Sequence, residues 1–251
     1  MGGILLSCKN ASFLFLTIFF TYMSNFNLTE EVNKLESKYR GLANAEDLDF
    51  SVYAKIIQEL KDKLITGRQD PNGGEPLGDL PHTLYVFGVI MELTYSQPLT
   101  VSQKKVGLTT SILHDIGYAI LTEEGADIKD FQGAFVRPAH MWAGASYTPI
   151  LLGKPEFRDH YSNEEILRVA QIVAVHDNPS TPYVDIDGNL KKGLPLDLSD
   201  VVGYMHREAD RMWMISPGGI EVDVHRSEKP AQEQAKHVIK RYREEKQLYV
   251  D

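Results

Sequence analysis

Residues 111–120 read SILHDIGYAI. The stretch is apolar except for its middle, where His114 and Asp115 stand side by side. A carboxylate taken out of water is costly unless something compensates its charge. A chain that places one inside an apolar segment therefore has a partner for it. The surrounding pattern predicts a helix over 102–121, with Val106, Leu113, Ile116 and Ile120 on one face.

Helical periodicity continues on both sides. Residues 29–41 and 47–66 read as helices with one polar face. The segment TGRQDPNGGEPLGDLP (66–81) is a long Gly/Pro loop. Pro81 is placed to open a helix over HTLYVFGVIMELTY, with Asp79 as its cap, and Pro98 breaks the chain after it. A further helix is expected from about Pro138 to Leu152. Ser162 and Glu165 form a capping-box pattern that starts a helix through ILRVAQIVAVHD, ended by Pro179 and Pro182. YVDIDGNL (183–190) carries an Asp-Gly turn and suits a small hairpin; its DIDGN reads as a turn, since the terminal glutamate of a calcium loop is missing. Ser199 is the expected cap of DVVGYMHREADRMWMI, and a last charged helix spans 230–247. Strand runs do not alternate with helices, so parallel-sheet folds are disfavoured. The expected fold is an all-α bundle with at most a minor hairpin near 183–190.

The chain has 251 residues and a net charge of −9. That length suits one large domain, read here as 29–251. The acidic balance and the lack of a basic run make duplex nucleic acid an unexpected partner. The only cysteine is Cys8, so no intrachain disulfide can form, which permits a reducing compartment. Residues 1–28 form an apolar extension. Its run ASFLFLTIFFTYM (11–23) is short for a transmembrane helix and lacks signal-peptide flanks. A weak signal or anchor, a disordered extension, and a true start at Met23 remain as readings. The expected location is cytoplasmic, with membrane contact only if the apolar segment belongs to the protein.

Five of the eight histidines fall in or beside predicted helices: His82, His114, His140, His176 and His206. Two are followed by aspartate, at 114–115 and 176–177. A further aspartate, Asp210, lies in a helix with little polar surface around it. Imidazole and carboxylate are the ligand set of zinc, iron and manganese. Singly, each such residue is more often a cap, a hydrogen-bonding group or a surface charge. As an ordered set they point to a metal site. His160, His206, His225 and His237 have no evident partner in the sequence.

That order, His82, His114–Asp115, His140, His176, Asp210, resembles the HD-domain superfamily, whose pattern is H…HD…H…H…D on an α-helical core. LHDIGY is close to the family's centre, and EADRMWMISPGGI resembles its last-ligand segment. The resemblance covers 82–220, a little over half of the chain. It implies a dinuclear site with His82, His114, Asp115 and Asp210 on one metal, and Asp115, His140 and His176 on the other. The cofactors implied are two divalent transition metals from among iron, manganese, nickel, cobalt and zinc. Consecutive helical residues point about 100° apart, so His114 and Asp115 can both reach an ion above the helix. That ion supplies the charge which makes a buried Asp115 tolerable.

The resemblance implies hydrolysis of a phosphoester of a small molecule or nucleotide, with Asp115 as the central catalytic carboxylate, since paired metals suit phosphoryl transfer to water. A phosphate also calls for protein cations. Arg207 lies three residues before Asp210, and Arg137 three before His140. Asp177 is left to support a ligand or to bind substrate, and Tyr118 is a further substrate-contact candidate. Trp142, Trp213 and Tyr183 are candidates for pocket lining, though core packing is the commoner role of such aromatics. The same six-ligand pattern occurs in HD-type mixed-valent di-iron oxygenases, similar to myo-inositol oxygenase and the organophosphonate oxygenases, and that reading stays open. So does a non-catalytic sensor or binding module. Tyr118 stands where many members of both enzyme kinds carry lysine.

Overall fold

The computed structural model describes residues 26–42, 48–67, 79–125, 136–177, 183–184, 190–191, 200–220 and isolated positions at 222, 233, 236 and 240. The apolar segment 11–23, the DIDGN turn and nearly all of the expected helix at 230–247 lie outside them. The helices, in chain order, are α1 (Leu28–Arg40), α2 (Phe50–Gly67), α3 (Leu80–Ser96), α4 (Val101–Leu113), α5 (Ile116–Glu123), α6 (Val136–Leu152), α7 (Pro155–Arg158), α8 (Asn163–Val173) and α9 (Val201–Trp213). Strands β1 (Tyr183–Val184) and β2 (Leu190–Lys191) pair antiparallel, with Tyr183 opposite Lys191 and Val184 opposite Leu190. The fold is all-α, and among the described residues this short antiparallel pair is its only sheet; the pairing agrees with the expected hairpin near 183–190. Among the described residues no helix is long and apolar enough to cross a membrane.

Local chemistry explains most helix starts. The Ser162 hydroxyl accepts from the Glu165 N–H at 3.1 Å, and the Glu165 carboxylate accepts from the Ser162 N–H at 2.8 Å, so the expected capping box forms. Thr100 and Gln103 build a second box at the start of α4. Asp79 does occupy the cap position of α3, with Pro81 in its first turn, but its side chain makes no capping hydrogen bond. Asp200, not Ser199, caps α9: its carboxylate accepts from the Val202 N–H at 3.2 Å. The shift by one residue fits the preference for a side-chain oxygen that reaches the N2 donor.

The helix expected over 102–121 is in fact two. α4 ends at Leu113 and α5 begins at Ile116, so the break falls on His114 and Asp115. Asp115 leaves helical geometry at φ −99°, ψ 2°. His114 still has helical geometry and donates its N–H to the Thr110 carbonyl, so the break turns Asp115 relative to it, where an unbroken helix would fix the two about 100° apart. The expected one-sided apolar face is also corrected. α4 is buried nearly all round, from Val106 to Leu113, because it packs against α2, α3, α8 and α9 at once. α8 likewise stops at Val173, earlier than the run through His176–Asp177 suggested, and His176 follows it in a turn.

Two features hold the helices that carry the site. Lys105 on α4 pairs with Glu165 on α8 at 3.2 Å and donates to the His160 carbonyl at 2.8 Å. Arg168 on α8 pairs with Asp200 at the start of α9. The closest approach is between α5 and α6. A Cβ built on Gly117 would lie 1.7 Å from the His140 carbonyl oxygen. Gly117→Ala therefore forces α6, and His140 with it, away from α5. We expect a loss of about 3 kcal/mol or more, the upper end for overpacking because the clash is with backbone. Chemical denaturation checks this, and metal retention in the surviving folded fraction should fall in parallel.

Candidate metal centre

Six side chains from five places in the chain meet inside the bundle. His82 comes from the first turn of α3, His114 and Asp115 from the α4–α5 break, His140 from α6, His176 from the turn after α8, and Asp210 from α9. His114 and His140 are fully buried, and His82, Asp115 and His176 are at most 6% exposed.

Asp115 is the hub. Its Oδ2 lies 3.2 Å from His82 Nδ1 and 3.4 Å from His114 Nε2. Its Oδ1 lies 3.4 Å from His140 Nε2 and 3.3 Å from His176 Nε2. Each carboxylate oxygen thus faces its own pair of imidazoles. Two buried groups that can hold a metal ion result: His82, His114 and Asp115, and Asp115, His140 and His176. Asp210 closes on the first from the other edge of the His82 ring, with its Oδ1 2.9 Å from His82 Nε2 and 3.6 Å from His114 Nε2.

These separations are short, and His140 Nε2 and His176 Nε2 lie within hydrogen-bond distance at 3.4 Å, yet several ring nitrogens remain unsatisfied. Both ring nitrogens of His82 and the Nε2 of His114 lack a hydrogen-bond partner. At 2.9–3.6 Å the atoms are close, but the N–H directions miss the oxygens. Buried polar atoms are nearly always partnered, and nitrogens and carboxylate oxygens that converge unmatched suit ligands around a common cation. The donor set, imidazole with carboxylate, is that of a divalent transition metal.

Each imidazole is oriented from behind. His114 Nδ1–H donates to the Ser111 carbonyl at 3.0 Å, and His176 Nδ1–H to the Val173 carbonyl at 2.8 Å, which leaves Nε2 of each as the coordinating atom. The other two are held by stacking. Tyr118 lies flat on His140, centroids 4.0 Å apart and 12° between planes. Trp213 lies on His82 at 5.3 Å and 19°.

The electrostatics separate the two groups. Burial alone would lower His114, but the Asp115 charge and contact, then Asp210, outweigh it and push it up to about 10. Burial also opposes protonation of His82, and Asp115 and Asp210 overcome it, so His82 too is raised. Burial would raise Asp210, but His114 and His82 hold it well below the carboxylate range. In His140 burial wins and the imidazole is lowered. Asp115 and Asp210 thus favour the protonated form of His82 and His114, the imidazoles that face Oδ2 of Asp115.

The remaining sequence candidates are placed as follows. Arg207 lies on α9 one turn before Asp210 and is only 6% exposed, so it is no surface charge. Arg211, next to Asp210 in the chain, pairs with Glu208 at 3.8 Å. Asp177 is half-buried beside His176. Tyr118 is 3% exposed and turned inward onto His140. The Arg137 and Tyr183 side chains lie outside the described residues. Trp142 is 57% exposed and so is not the core aromatic that was expected.

Two neighbours of the site were not legible as such. Pocket lining or core, the two roles the sequence offers for Trp213, do not specify its stack on His82. His206 had no evident partner. It is fully buried, 5.0 Å from His114 and 5.9 Å from His176 between ring centroids. Burial, then the charges of His114 and His176, push its imidazole well below the ordinary range. The available signal was its position four residues before Asp210, on the same helical face.

No family model matches the chain, and no curated protein or solved structure matches it.

Proposed function

We propose that the chain is a metal-dependent phosphohydrolase of the HD-domain kind, acting on a phosphoester of a small molecule, nucleotides included. The observation that carries the reading is the division of Asp115, with Oδ2 toward His82 and His114 and Oδ1 toward His140 and His176. One carboxylate shared by two imidazole pairs is the ligand geometry of a dinuclear centre, and the order of the residues along the chain agrees with the HD pattern.

His82, His114, Asp115 and Asp210 would hold one ion, and Asp115, His140 and His176 the other. Such a pair, when bound, supplies charge for phosphate oxygens and activates water for attack on phosphorus. The protein orients the four imidazoles through Ser111, Val173, Tyr118 and Trp213 and keeps the hub carboxylate out of bulk water. Arg207, buried on the face of α9 that carries Asp210, is the guanidinium we assign to the substrate phosphate. Arg137 and Asp177 are the further substrate contacts of this reading. The net charge of −9 disfavours polymeric nucleic acid as substrate.

The test is phosphate release. Protein loaded with manganese, nickel, cobalt or iron is screened against nucleotides and phosphomonoesters, and Asp115→Ala should abolish whatever activity appears. Oxygen consumption with an organophosphonate or a polyol would overturn the proposal if it came with a half-integer spin signal from a mixed-valent iron pair and no phosphatase activity. The site would then be that of a di-iron oxygenase.

A further inference from the structure

Among the described residues, His206 is the one buried histidine beside the site that neither metal-ligand group uses. It is 0% exposed, and neither its Nδ1 nor its Nε2 has a hydrogen-bond partner. Buried polar side chains are rarely left so, and those that are call for a specific reason. The ring stands edge to face against His114 at 68° and against His176 at 77°. His114 belongs to one Asp115-centred group and His176 to the other. His206 therefore packs against one histidine of each group. It reaches there from the α9 face that also carries Asp210, four residues on.

We propose that His206 is a substrate-contacting residue whose ring N–H holds an oxygen of the phosphate bound across the two groups. This rests on the phosphohydrolase reading. An imidazole offers at least one N–H in either protonation state, so the contact does not depend on a change of charge. A ring that only filled space would be served as well by phenylalanine, which brings no polar atoms into the interior. The position against two ligand histidines, with both nitrogens unmatched, favours an oxygen-bearing ligand that spans both groups.

The experiment uses the full chain loaded with cobalt, with metal content by elemental analysis and inorganic phosphate titrated into the visible absorption of the cobalt. Wild type should show a saturable spectral change. His206→Phe should keep its cobalt and bind phosphate about tenfold more weakly, the size of one hydrogen bond. His206→Asn or His206→Gln should recover most of that loss, according to which ring nitrogen makes the contact. Phosphate affinity of His206→Phe within about twofold of wild type would overturn the assignment. So would failure of both amide variants to improve on His206→Phe, or loss of cobalt from all three variants. A wild type that binds no cobalt overturns the metal-dependent reading itself. A cobalt-loaded wild type blind to phosphate overturns the phosphohydrolase reading and this assignment with it. Only the comparison among variants singles out His206.

Discussion

Asp115→Ala leaves the protein without metal at both groups, whereas His140→Ala and His176→Ala mainly deplete one. Asp115 is the only residue common to the two sets of ligand atoms, and its two oxygens face different imidazole pairs. Outer partners of a metal site cost about 10–100-fold in affinity when removed, so losing a shared ligand should cost more than 100-fold at each group. The variant also removes the main charge that raises His114 and one of the two that raise His82, so burial pushes both imidazoles toward neutrality and Asp210 loses compensation beside them. A buried charge left without its partner costs about 3–5 kcal/mol, and the metal-free variant should melt well below metal-free wild type. Asp177→Ala, in contrast, should keep its metal. Elemental analysis and thermal melts check all four variants. Equal metal loss from Asp115→Ala and Asp177→Ala would mean that the hub has been misplaced.

Loading the His82–His114 group should release protons, and loading the His140–His176 group should release none from His140. His114 is pushed up to about 10 in the metal-free protein and His82 is raised, so an ion entering there displaces protons. His140 is lowered and is already neutral at pH 7. Exchanging protons for a divalent ion keeps positive charge beside Asp115 and Asp210. Affinity at the first group should climb about tenfold per pH unit for each proton displaced, levelling as pH passes the raised His114 value. Calorimetry in two buffers of different ionisation enthalpy, on wild type and on His140→Ala, counts the protons. A pH-independent first affinity would refute the exchange. The same shift has a consequence for the metal-free fold. His114 titrates higher folded than its ordinary 6.5, so its stabilisation is complete below about that pH and is lost as pH rises through about 10. Metal-free protein should melt lower at pH 10 than at pH 7, and metal-loaded protein should show less of this loss.

How far the site could be read from the chain depended on distance along it. The Ser162–Glu165 box, Pro81 in the first turn of α3 and the antiparallel pairing of the strands expected near 183–190 were legible because their chemistry is complete within a few residues. The ordered histidines and aspartates were legible as a pattern, since each lies in or near a helix that the apolar periodicity marks out. The break at His114–Asp115 was not. The apolar residues keep helical spacing across it, and no Gly or Pro within 113–116 announces an interruption.

The sequence alone determined an all-α chain, an acidic surface charge, and a set of imidazoles and carboxylates suited to transition metals. Residue type and local spacing carry that information by themselves. Only the tertiary structure decided that Asp115 divides its two oxygens between imidazole pairs, that Trp213 and Tyr118 stack on His82 and His140, and that His206 packs against one histidine of each group. Those relations join residues up to 131 positions apart, as with His82 and Trp213. They depend on how α3, α4, α6, α8 and α9 are set against one another. That setting comes from close approaches such as Gly117 against the His140 carbonyl and from ion pairs such as Lys105 with Glu165. Helix periodicity specifies which face is buried; it does not specify which side chain of another helix that face will meet.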